Sequence, residues 1–506
     1  MLIALMLLSA LPMLIVDIAP LTDLPGHMAR YKVALALDHS EALQRFFRFE
    51  WAVLGNLGVD LLVMPLAKLV GLELAVKLIV GAIPPLTVWG FLLVAREVHG
   101  RIPPTAFFAL PFVYGYPLMF GFVNFALSMA FAFLAFGFWL HLARLGRLRL
   151  RAILFVPISI LVWLTHTFGW GTLGVMAFSA ELVRQIDHRR NFVHAAFNAG
   201  LHCLSLAPPL MLMLLWRSGA SGGRTTDWFN WDAKYYWLKW ALRDRWKYFD
   251  LGALIIVILL LLRALWSPRI EFSRNLIASA IFLAIVFVCL PRIIFGSAYA
   301  DMRLVPYMFA VAVLAIRLKG RASLRFAKIA AVAALAFAGI RMAGTTWSFA
   351  LYDRNYDRHL AALEYVPHGA RLVTFVGRNC REGWSSSRLE HLSGIATVRR
   401  EAFTNDQWTM AGSQLLSVHY PQGEWFVRDP SQVVTPVKCR RQSWLTIADS
   451  LKRLPRDAFD YVWLIQPPRY DPRLTEGLEP IWRSGTSVLY RVVDRAPPSV
   501  AREEKP

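Results

Sequence analysis

Residues 17–30 read DIAPLTDLPGHMAR, and they follow directly on Met1–Val16, a run of mostly apolar, uncharged residues. A helix needs about 20 predominantly apolar residues to cross the hydrocarbon core of a bilayer, so this run is close to spanning length. Because the run lacks a basic segment at its start, we interpret it as a membrane anchor and not as a cleavable signal peptide. Two carboxylates, an imidazole and a guanidinium come after the predicted helix, which indicates polar chemistry at the lipid–water boundary.

Further apolar runs of spanning length recur as far as Thr345. Hydrophobic residues make up 56% of the 506 residues, and the mean hydropathy is +0.43. Each run has about the length that a transmembrane helix requires. We therefore predict about eleven spans, near residues 1–16, 74–95, 104–119, 122–140, 151–166, 169–183, 195–215, 250–265, 276–291, 304–318 and 327–345.

The distribution of Lys and Arg predicts the orientation of the spans, because short loops rich in these residues stay in the cytoplasm. Most of the basic residues between spans fall in alternate loops, at 96–101, 141–151, 184–190, 263–274 and 317–328. The acidic first loop, 17–50, has nearly balanced charges and is predicted to lie on the outer face, as is the chain after the last span. This alternation requires that 52–72 lies along the interface or re-enters from the outer side.

The long apolar runs stop at Thr346, and residues 346–506 carry 22 basic and 18 acidic side chains. Short β-rich runs bounded by Pro, Gly and charged residues predict strands. These strands fall at 371–376, 461–465 and 487–493, and helical patterns occur at 354–365 and 442–454. The predicted fold is an α-helical polytopic membrane bundle over 1–345, followed by a small extracytoplasmic α/β domain over 346–506.

Composition and motifs exclude several functions. The net charge of +21 lies mostly in the membrane part, where basic loops set the topology, so no nucleic-acid partner is expected. The His-Glu-x-x-His and Walker patterns do not occur, and the absence of a Walker loop argues against ATP-driven transport by this chain alone. Cys203 and Cys289 fall in predicted spans. Cys380 and Cys439 lie in the tail, where an oxidising exterior permits a disulfide, and the sequence leaves open whether they pair.

Asp23, His27 and Arg30 have the i, i+4, i+7 spacing that aligns side chains on one face of a helix. Pro25 is typical of the first turn of a helix, which places Asp23 or Thr22 at the cap. This pattern has two interpretations. Asp23 either caps a surface helix, or it is a general base that takes a proton from an acceptor hydroxyl while His27 or Arg30 orients that group.

Polar residues at other outer helix ends are further candidates for binding substrate. His166 comes just after a predicted span, and the alternative role for it is a hydrogen bond to a backbone carbonyl. Arg292 and Arg303 flank an outer loop, where guanidinium groups match phosphate oxygens, and Asp301 beside them is a further candidate for binding substrate. Their alternatives are contacts with lipid headgroups or an Asp301–Arg303 surface pair. Asn124 is either a polar site residue or a hydrogen bonder between helices.

Five tryptophans lie within residues 227–246. Trp and Tyr side chains favour the headgroup level of a membrane, which favours an interfacial helix here. A stacking surface for a sugar or a lipid is the alternative.

This arrangement resembles the GT-C superfamily of integral membrane glycosyltransferases, which use polyprenyl-phosphate-linked sugars. The resemblance rests on a short first span, an acidic outer loop containing DLPGHMAR at 23–30, an interfacial segment, many further spans and an outer C-terminal domain. It implies that Asp23, with Asp17 as the competing candidate and His27 beside it, is the catalytic base or positions the acceptor. It also implies that Arg292 and Arg303 bind the lipid-linked phosphate. The chain departs from protein mannosyltransferases, since it has no adjacent Asp-Glu pair, and it lacks the Trp-Trp-Asp signature of oligosaccharyltransferases.

The resemblance implies an inverting transfer of a hexosyl or pentosyl group, in which the lipid phosphate leaves as an acceptor hydroxyl attacks the sugar carbon. The implied partners are membrane lipid, a polyprenyl-phosphate-linked sugar as donor substrate, and an envelope glycan, lipid or protein as acceptor. No cofactor is implied, although Asp17, Asp23 and His27 offer ligands that suit a divalent metal. The implied location is the bacterial inner membrane, with the C-terminal domain in the periplasm.

The competing class is a transporter or flippase for a lipid-linked glycan or a small molecule. Transporters place ionisable residues and broken helices at mid-membrane. Here the charged clusters fall mainly at outer helix ends, with Asp60 as the exception, so the sequence favours an enzyme. A structural envelope protein would leave the Asp23 motif unexplained.

Overall fold

The computed structural model describes residues 2–218, 224–320, 322–381, 383–409, 414–440 and 442–499. Arg321 of a predicted cytoplasmic loop and residues 500–506 of the predicted C-terminal domain therefore lie outside the described residues. The fold is mostly helical, at 63% helix. The α-helices are Leu2–Ser9, Leu11–Leu14, Leu24–Ala36, Glu41–Gln44, Gly58–Val70, Leu72–His99, Tyr116–Phe120, Val123–Arg144, Leu148–Thr165, Thr167–Asp187, Phe192–His202, Pro208–Ser218, Trp231–Lys239, Lys247–Trp266, Arg274–Cys289, Val305–Leu314, Leu324–Leu360, Gly394–Arg400 and Ile447–Arg453.

Shorter elements complete the described chain. The 3₁₀ helices are Leu37–His39, Pro104–Tyr114, Cys203–Leu206, Asp301–Leu304, Ala361–Tyr365, Pro421–Val427, Asp429–Gln432, Arg456–Ala458 and Pro472–Thr475. The strands are β1 (Phe47–Phe49), β2 (Ile270–Phe272), β3 (Ile316–Leu318), β4 (Leu372–Gly377), β5 (Leu416–Val418), β6 (Val433–Thr435), β7 (Leu445–Thr446), β8 (Tyr461–Ile465), β9 (Leu478–Ser484) and β10 (Ser487–Val492).

Five of the described helical segments are long and apolar enough to cross a membrane. They are Leu72–His99, Val123–Arg144, Leu148–Thr165, Lys247–Trp266 and Leu324–Tyr365. A sixth candidate is the pair Phe192–Leu206 and Pro208–Leu214, which is bent by 64° at its break. Proline at that break lacks the N–H that would continue the helix. Two shorter apolar helices, Leu2–Leu14 and Arg274–Cys289, coincide with the predicted spans 1–16 and 276–291.

The described helices thus supply five or six candidate spans, fewer than the eleven predicted from apolar runs. The predicted span 104–119 differs most clearly: it forms the 3₁₀ helix Pro104–Tyr114 and the five-residue α-helix Tyr116–Phe120. Pro111 and Pro117 lie inside this segment, and each removes a backbone donor that a continuous α-helix would use. Hydropathy alone does not register those missing donors.

The chain divides into two compact units. The first comprises 1–15, 53–62 and 78–348, and the second comprises 16–52, 63–77 and 349–506. In the first unit, β2 and β3 form an antiparallel pair. The second unit takes in most of the acidic first loop, because residues of that loop share a hydrophobic core with residues after 349.

The second unit contains a mixed six-stranded sheet in the order β7-β6-β4-β8-β10-β9. Strands β7, β6, β4 and β8 run parallel to one another, and β10 is antiparallel to both β8 and β9. The strands predicted at 371–376, 461–465 and 487–493 are found as β4, β8 and β10. Burial on both faces, as in the pattern of β4, suits the nearly continuous apolar runs of these strands.

The first loop pairs with the rest of the second unit through strand and core contacts. Strand β1 is antiparallel to β5, with Phe47 opposite Val418. Phe47 is fully buried and stacks on Phe403, with ring centroids 6.1 Å apart. Aromatic burial of this kind contributes a large apolar area, so the loop is a structural part of this unit.

Two of the four cysteines form a disulfide. Cys380 and Cys439 are bonded, with their Cα atoms 5.4 Å apart, and they close a loop at a sequence separation of 59 residues. The pairing that the sequence left open is therefore present. Cys203 and Cys289 are free.

Candidate functional site

Asp23 lies immediately before the helix Leu24–Ala36, and Pro25 falls in the first turn as predicted. Asp23 occupies the cap position of this helix but its side chain makes no capping hydrogen bond there, and the residue is only 8% exposed. Its Oδ1 atom lies 3.9 Å from Nε2 of His391. The carboxylate thus faces a second titratable group and does not cap the helix in the way that the simpler interpretation required.

His391 lies in the turn before the helix Gly394–Arg400 and is 4% exposed. Its φ angle is +63°, in the left-handed region that residues other than glycine seldom adopt. Two contacts hold it there: the His391 N–H donates to Oε1 of Gln432 over 2.7 Å, and Nδ1 lies 2.9 Å from the carbonyl oxygen of Asp406. Such strain costs about 1–3 kcal/mol and is concentrated at functional sites. The contacts with Gln432 and Asp406 therefore have to offset the cost of this backbone conformation.

The hydrogen bonds of His391 define the tautomer of its neutral ring. Nδ1 lies 2.9 Å from the carbonyl oxygen of Asp406, which only accepts, and 3.3 Å from Nε2 of Gln432, which only donates. The shorter contact assigns the hydrogen to Nδ1, which donates it to Asp406. The Nε2 atom then keeps a lone pair, which faces Oδ1 of Asp429 at 3.6 Å and Oδ1 of Asp23 at 3.9 Å. The carboxylate of Asp406 lies 3.9 Å from Nδ1. We call Asp23, His391, Asp406 and Asp429 the His391 cluster.

Neutral side chains hold two carboxylates of the cluster in place. Nε2 of Gln432 donates to Asp429 over 2.6 Å. Asp406 is fully buried and accepts from the Thr404 hydroxyl over 2.5 Å and from Nε2 of Gln407 over 3.2 Å. Hydrogen bonds to a charged oxygen stabilise it, so these donors fix the carboxylates while leaving them titratable.

Two glycines allow close packing around the cluster. A Cβ atom on Gly26 would lie 3.0 Å from the Trp408 ring and 3.1 Å from Nδ1 of His391. A Cβ atom on Gly394 would lie 2.7 Å from Oδ2 of Asp406 and equally close to a carbonyl oxygen in the first turn of Leu24–Ala36. At Gly394 a neighbouring atom would have to move, and one of the two nearest atoms belongs to the backbone of Pro25. Glycine at 394 is therefore what lets the two helices meet beside Asp406.

Burial favours the neutral forms of the cluster, which lies outside the candidate spans. It lowers the pKa of His391, against the opposing charges of Asp406 and Glu390. It raises the pKa of Asp406, with His391 as the main opposing charge. It also raises the pKa of Asp429 to about 7, against the hydrogen bond from Gln432. Near neutral pH, His391 is thus uncharged and Asp429 is at its midpoint, where a group can both accept and give up a proton.

His27 adjoins the cluster through an aromatic contact. The Trp408 ring lies 4.3 Å from the His391 ring and 5.0 Å from the His27 ring. Burial, followed by the charges of Arg30 and His391, holds the pKa of His27 well below its usual value. Arg30 is 4% exposed and donates to Oε1 of Gln414 over 3.0 Å. Of the predicted helix face, Asp23 belongs to the cluster and His27 borders it.

Asp17 has a different environment from Asp23. It is exposed, and its backbone N–H donates to Oδ1 of Asp353 over 3.1 Å. It lines a cavity of about 420 Å³ together with Asp353, Asp357 and Arg399. The structure therefore separates the two carboxylates that the sequence offered as alternative bases, and only Asp23 has a titratable partner in the His391 cluster.

The predicted residues of the first unit make structural contacts. Asn124 accepts from the Val59 N–H over 2.6 Å and donates to Oδ2 of Asp60 over 2.8 Å, which fits its alternative role as a hydrogen bonder between helices. Nδ1 of His166 accepts from the Phe168 N–H over 3.1 Å and caps the helix Thr167–Asp187. This contact differs from the carbonyl hydrogen bond considered for His166.

The residues of the predicted outer loop in the first unit are paired differently from the alternative that the sequence offered. Asp301 is fully buried and forms an ion pair with Lys234 at 3.2 Å, so the proposed Asp301–Arg303 surface pair is wrong. Arg303 instead lies over the Phe122 ring, with its guanidinium carbon 4.6 Å from the ring centroid. Arg292 is paired with Asp227 at 3.3 Å. The face of an aromatic ring attracts a cation, so the contact with Phe122 stabilises the charged guanidinium of Arg303.

The Trp-rich segment forms the helix Trp231–Lys239, as the interfacial interpretation predicted at the level of secondary structure. Trp237 is buried and donates from Nε1 to Asp301 over 3.1 Å. Trp228 and Trp231 are exposed. One side of this helix is therefore part of the fold, and the exposed tryptophans suit either the interfacial or the stacking role.

Sequence reasoning missed His391, Asp406 and Asp429. The signals available for them were weak. Residues 404–407 form a run of four polar side chains, and the structure buries all four. Nothing in the sequence indicates that this run meets Asp23, which lies far earlier in the chain.

Within the described residues, no group of three or more His, Cys, Asp or Glu side chains is arranged to hold a metal ion. Comparisons of the chain with protein-family models, with curated proteins and with solved structures find no match. The candidate spans and the geometry of the His391 cluster are therefore the features that bear on function.

Proposed function

We propose that this protein is a membrane glycosyltransferase that moves a sugar from a polyprenyl-phosphate donor to an envelope glycan, lipid or protein acceptor on the outer face of the membrane. The observation that carries the proposal is the buried Asp23 carboxylate facing the neutral Nε2 atom of His391. A carboxylate beside an unprotonated imidazole is equipped to accept a proton. The candidate membrane helices supply the setting that a lipid-linked donor requires.

The proposal includes the finer membrane arrangement predicted from the sequence. It has about eleven spans in a bacterial inner membrane, with 346–506 as an α/β domain in the periplasm. The Cys380–Cys439 disulfide supports an oxidising location for this region, since cytosolic thiols are normally kept reduced. The six-stranded mixed sheet supports its α/β character.

The proposed reaction is an inverting displacement. Asp23 takes the proton as the O–H bond of the acceptor breaks, and the acceptor oxygen forms a bond to the sugar carbon. The bond from that carbon to the phosphate oxygen breaks on the opposite side, and its electron pair leaves with the lipid phosphate. Arg292 and Arg303 remain predictions from the sequence for binding a lipid-linked phosphate, because a guanidinium presents donors that match phosphate oxygens. The role of Arg303 is tested separately with Arg303→Lys.

The test is transfer of radiolabelled sugar from a panel of polyprenyl-phosphate donors by membranes that contain the wild-type protein or Asp23→Asn. Loss of a general base lowers rates by about 10²–10⁴-fold, so we expect donor-dependent product to fall by that order in the variant at equal protein level. Asp38→Asn is the matched control, since Asp38 is an exposed carboxylate in the same loop.

Two results would count against the proposal. Equal activity of wild type and Asp23→Asn would remove Asp23 from the mechanism. Absence of transfer by the wild type across a broad panel of donors and acceptors would favour the transporter or flippase class instead.

A further inference from the structure

We propose that His391 and Asp429 form the path by which the proton taken up by Asp23 leaves the site. This inference rests on the proposed function, because it assigns the fate of the proton that Asp23 removes from the acceptor. His391 acts through Asp23 and is a positioning and relay residue. Asp429 is the outer end of the path, since 28% of its side chain is exposed whereas Asp23 and Asp406 are buried.

The geometry places one acceptor atom beside two carboxylates. Nε2 of His391 is 3.9 Å from Asp23 and 3.6 Å from Asp429, and the opposite nitrogen is committed to the carbonyl oxygen of Asp406. The ring cannot turn without breaking that hydrogen bond. A single water molecule or a small side-chain rotation closes each gap to hydrogen-bond distance. The lone pair of Nε2 therefore lies between Asp23, which would supply the proton, and Asp429, which would release it.

The charged and titratable groups facing His391 come from four places in the second unit. The start of Leu24–Ala36 supplies one carboxylate and one imidazole, the residue before His391 supplies a second carboxylate, the 404–408 segment a third, and the 3₁₀ helix Asp429–Gln432 a fourth. These groups are Asp23, His27, Glu390, Asp406 and Asp429. Three of the carboxylates lie within 4 Å of the ring nitrogens, so a proton on Nε2 would be stabilised by opposite charge at the moment of transfer.

The steps balance as a proton transfer. The proton on Asp23 moves to Nε2, which gives a protonated His391 whose Nδ1–H still donates to Asp406. The Asp23 carboxylate is thereby restored for another turnover. Nε2 then passes the proton to the ionised Asp429, and Asp429 releases it to water. When Asp429 is already protonated, its O–H donates a hydrogen bond to Nε2, and Nε2 can then neither take the proton from Asp23 nor pass one to Asp429.

The relay predicts a characteristic pH profile. Because burial raises the pKa of Asp429 to about 7, wild-type transfer activity should rise with pH through an inflection near that value. Asp429→Asn keeps a donor permanently next to Nε2, so the inflection should disappear and activity should stay low at every pH. His391→Gln removes the relay atom and should give a loss on the order of 100-fold, also without the inflection.

His359→Gln is the matched control for loss of a buried histidine. His359 is 4% exposed, and its ring atoms contact the carbonyl oxygen of Asn355 and the hydroxyl of Ser487. This variant loses a comparable set of hydrogen bonds away from the cluster. It should retain the pH inflection even if its stability falls.

A second measurement does not depend on transfer activity. The protein is labelled with ¹⁵N-histidine, and the signals of His391 are identified by their absence from His391→Gln. We expect the Nδ1–H tautomer and a change of the Nε2 signal near pH 7 that is lost in Asp429→Asn. Wild-type membranes that transfer no sugar would refute the proposed function. The relay would be overturned if the Nε2 signal of His391 were the same in wild type and Asp429→Asn. It would also be overturned if the inflection of transfer activity near pH 7 persisted in both Asp429→Asn and His391→Gln.

Discussion

The carboxylate of Asp429 should weaken the fold at alkaline pH, and its replacement by Asn should strengthen it. The pKa of Asp429 is raised from 3.8 to about 7 in the folded protein. Below pH 3.8 the folded and unfolded chains both hold this proton, and the group does not affect stability. Between pH 3.8 and about 7 only the folded chain holds it, so stability falls as pH rises and the loss is complete above that range.

The size of the effect comes from the difference between the two pKa values. Each pH unit corresponds to about 1.4 kcal/mol, so the difference amounts to about 4 kcal/mol at pH 8. Asn is neutral at every pH and keeps an oxygen that accepts the hydrogen bond from Gln432. We expect Asp429→Asn to exceed wild type by about this free energy of unfolding at pH 8 and to match it near pH 4. The melting temperature at pH 8 should rise by roughly 10 °C.

The assay is thermal unfolding of the purified protein in detergent at intervals between about pH 4 and pH 8.5. Asp38→Asn measures the effect of removing an exposed carboxylate from the same unit. A variant equal to or weaker than wild type at pH 8 would refute the reasoning, as would a gain that does not grow with pH. A more stable but less active Asp429→Asn would mean that this carboxylate is kept for function at the expense of stability.

Three further outcomes are expected. Cys439→Ser should lower the free energy of unfolding by about 4 kcal/mol, because the unfolded chain regains the entropy that the 59-residue disulfide loop removes. In the same melting assay, a reducing agent should destabilise wild type but not the variant. Gly394→Ala should cost about 1–3 kcal/mol, because the new methyl group would lie 2.7 Å from Asp406; Gly383→Ala, with its nearest atom at 4.0 Å, is the control. Reporter fusions after Thr346 should be external and fusions after Asp187 internal; an internal report from Thr346 would contradict the predicted topology.

The apolar helices and the strands were predictable because their signals are local. A run such as 327–345 or 250–265 needs no partner to be recognised as a candidate span, since bilayer thickness alone sets its length. The same holds for the β-rich composition of 461–465. A single continuous helix over 104–119 was not found, because hydropathy takes no account of the backbone N–H groups that prolines lack. The start of the helix Leu24–Ala36 was predicted correctly, because the fixed φ and missing N–H of Pro25 suit the first turn of a helix.

The candidate site could be predicted only in part, because its members meet through tertiary structure. Asp23 stood out through its spacing with His27, and the structure places Asp23 in the His391 cluster and His27 at its border. His391 and Asp429 carry no spacing that links them to Asp23, and the strained φ of His391 is set by Gln432 and Asp406. Asn124 and Asp301, which the sequence also offered as candidates, make buried contacts within the first unit.

The pairing of β1 with β5 has a consequence for how the protein is made. Phe47 is translated long before Val418, its partner across the two strands. At about 5–20 residues per second, the first loop waits roughly 20–70 s with its apolar side chains and strand edge uncovered. A ribosome that stalls before Leu416 would release a chain whose early loop has no strand to pair with, and an uncovered edge of this kind invites aggregation. The strand edge of the first loop therefore stays exposed to aggregation until the last part of the chain has been synthesised.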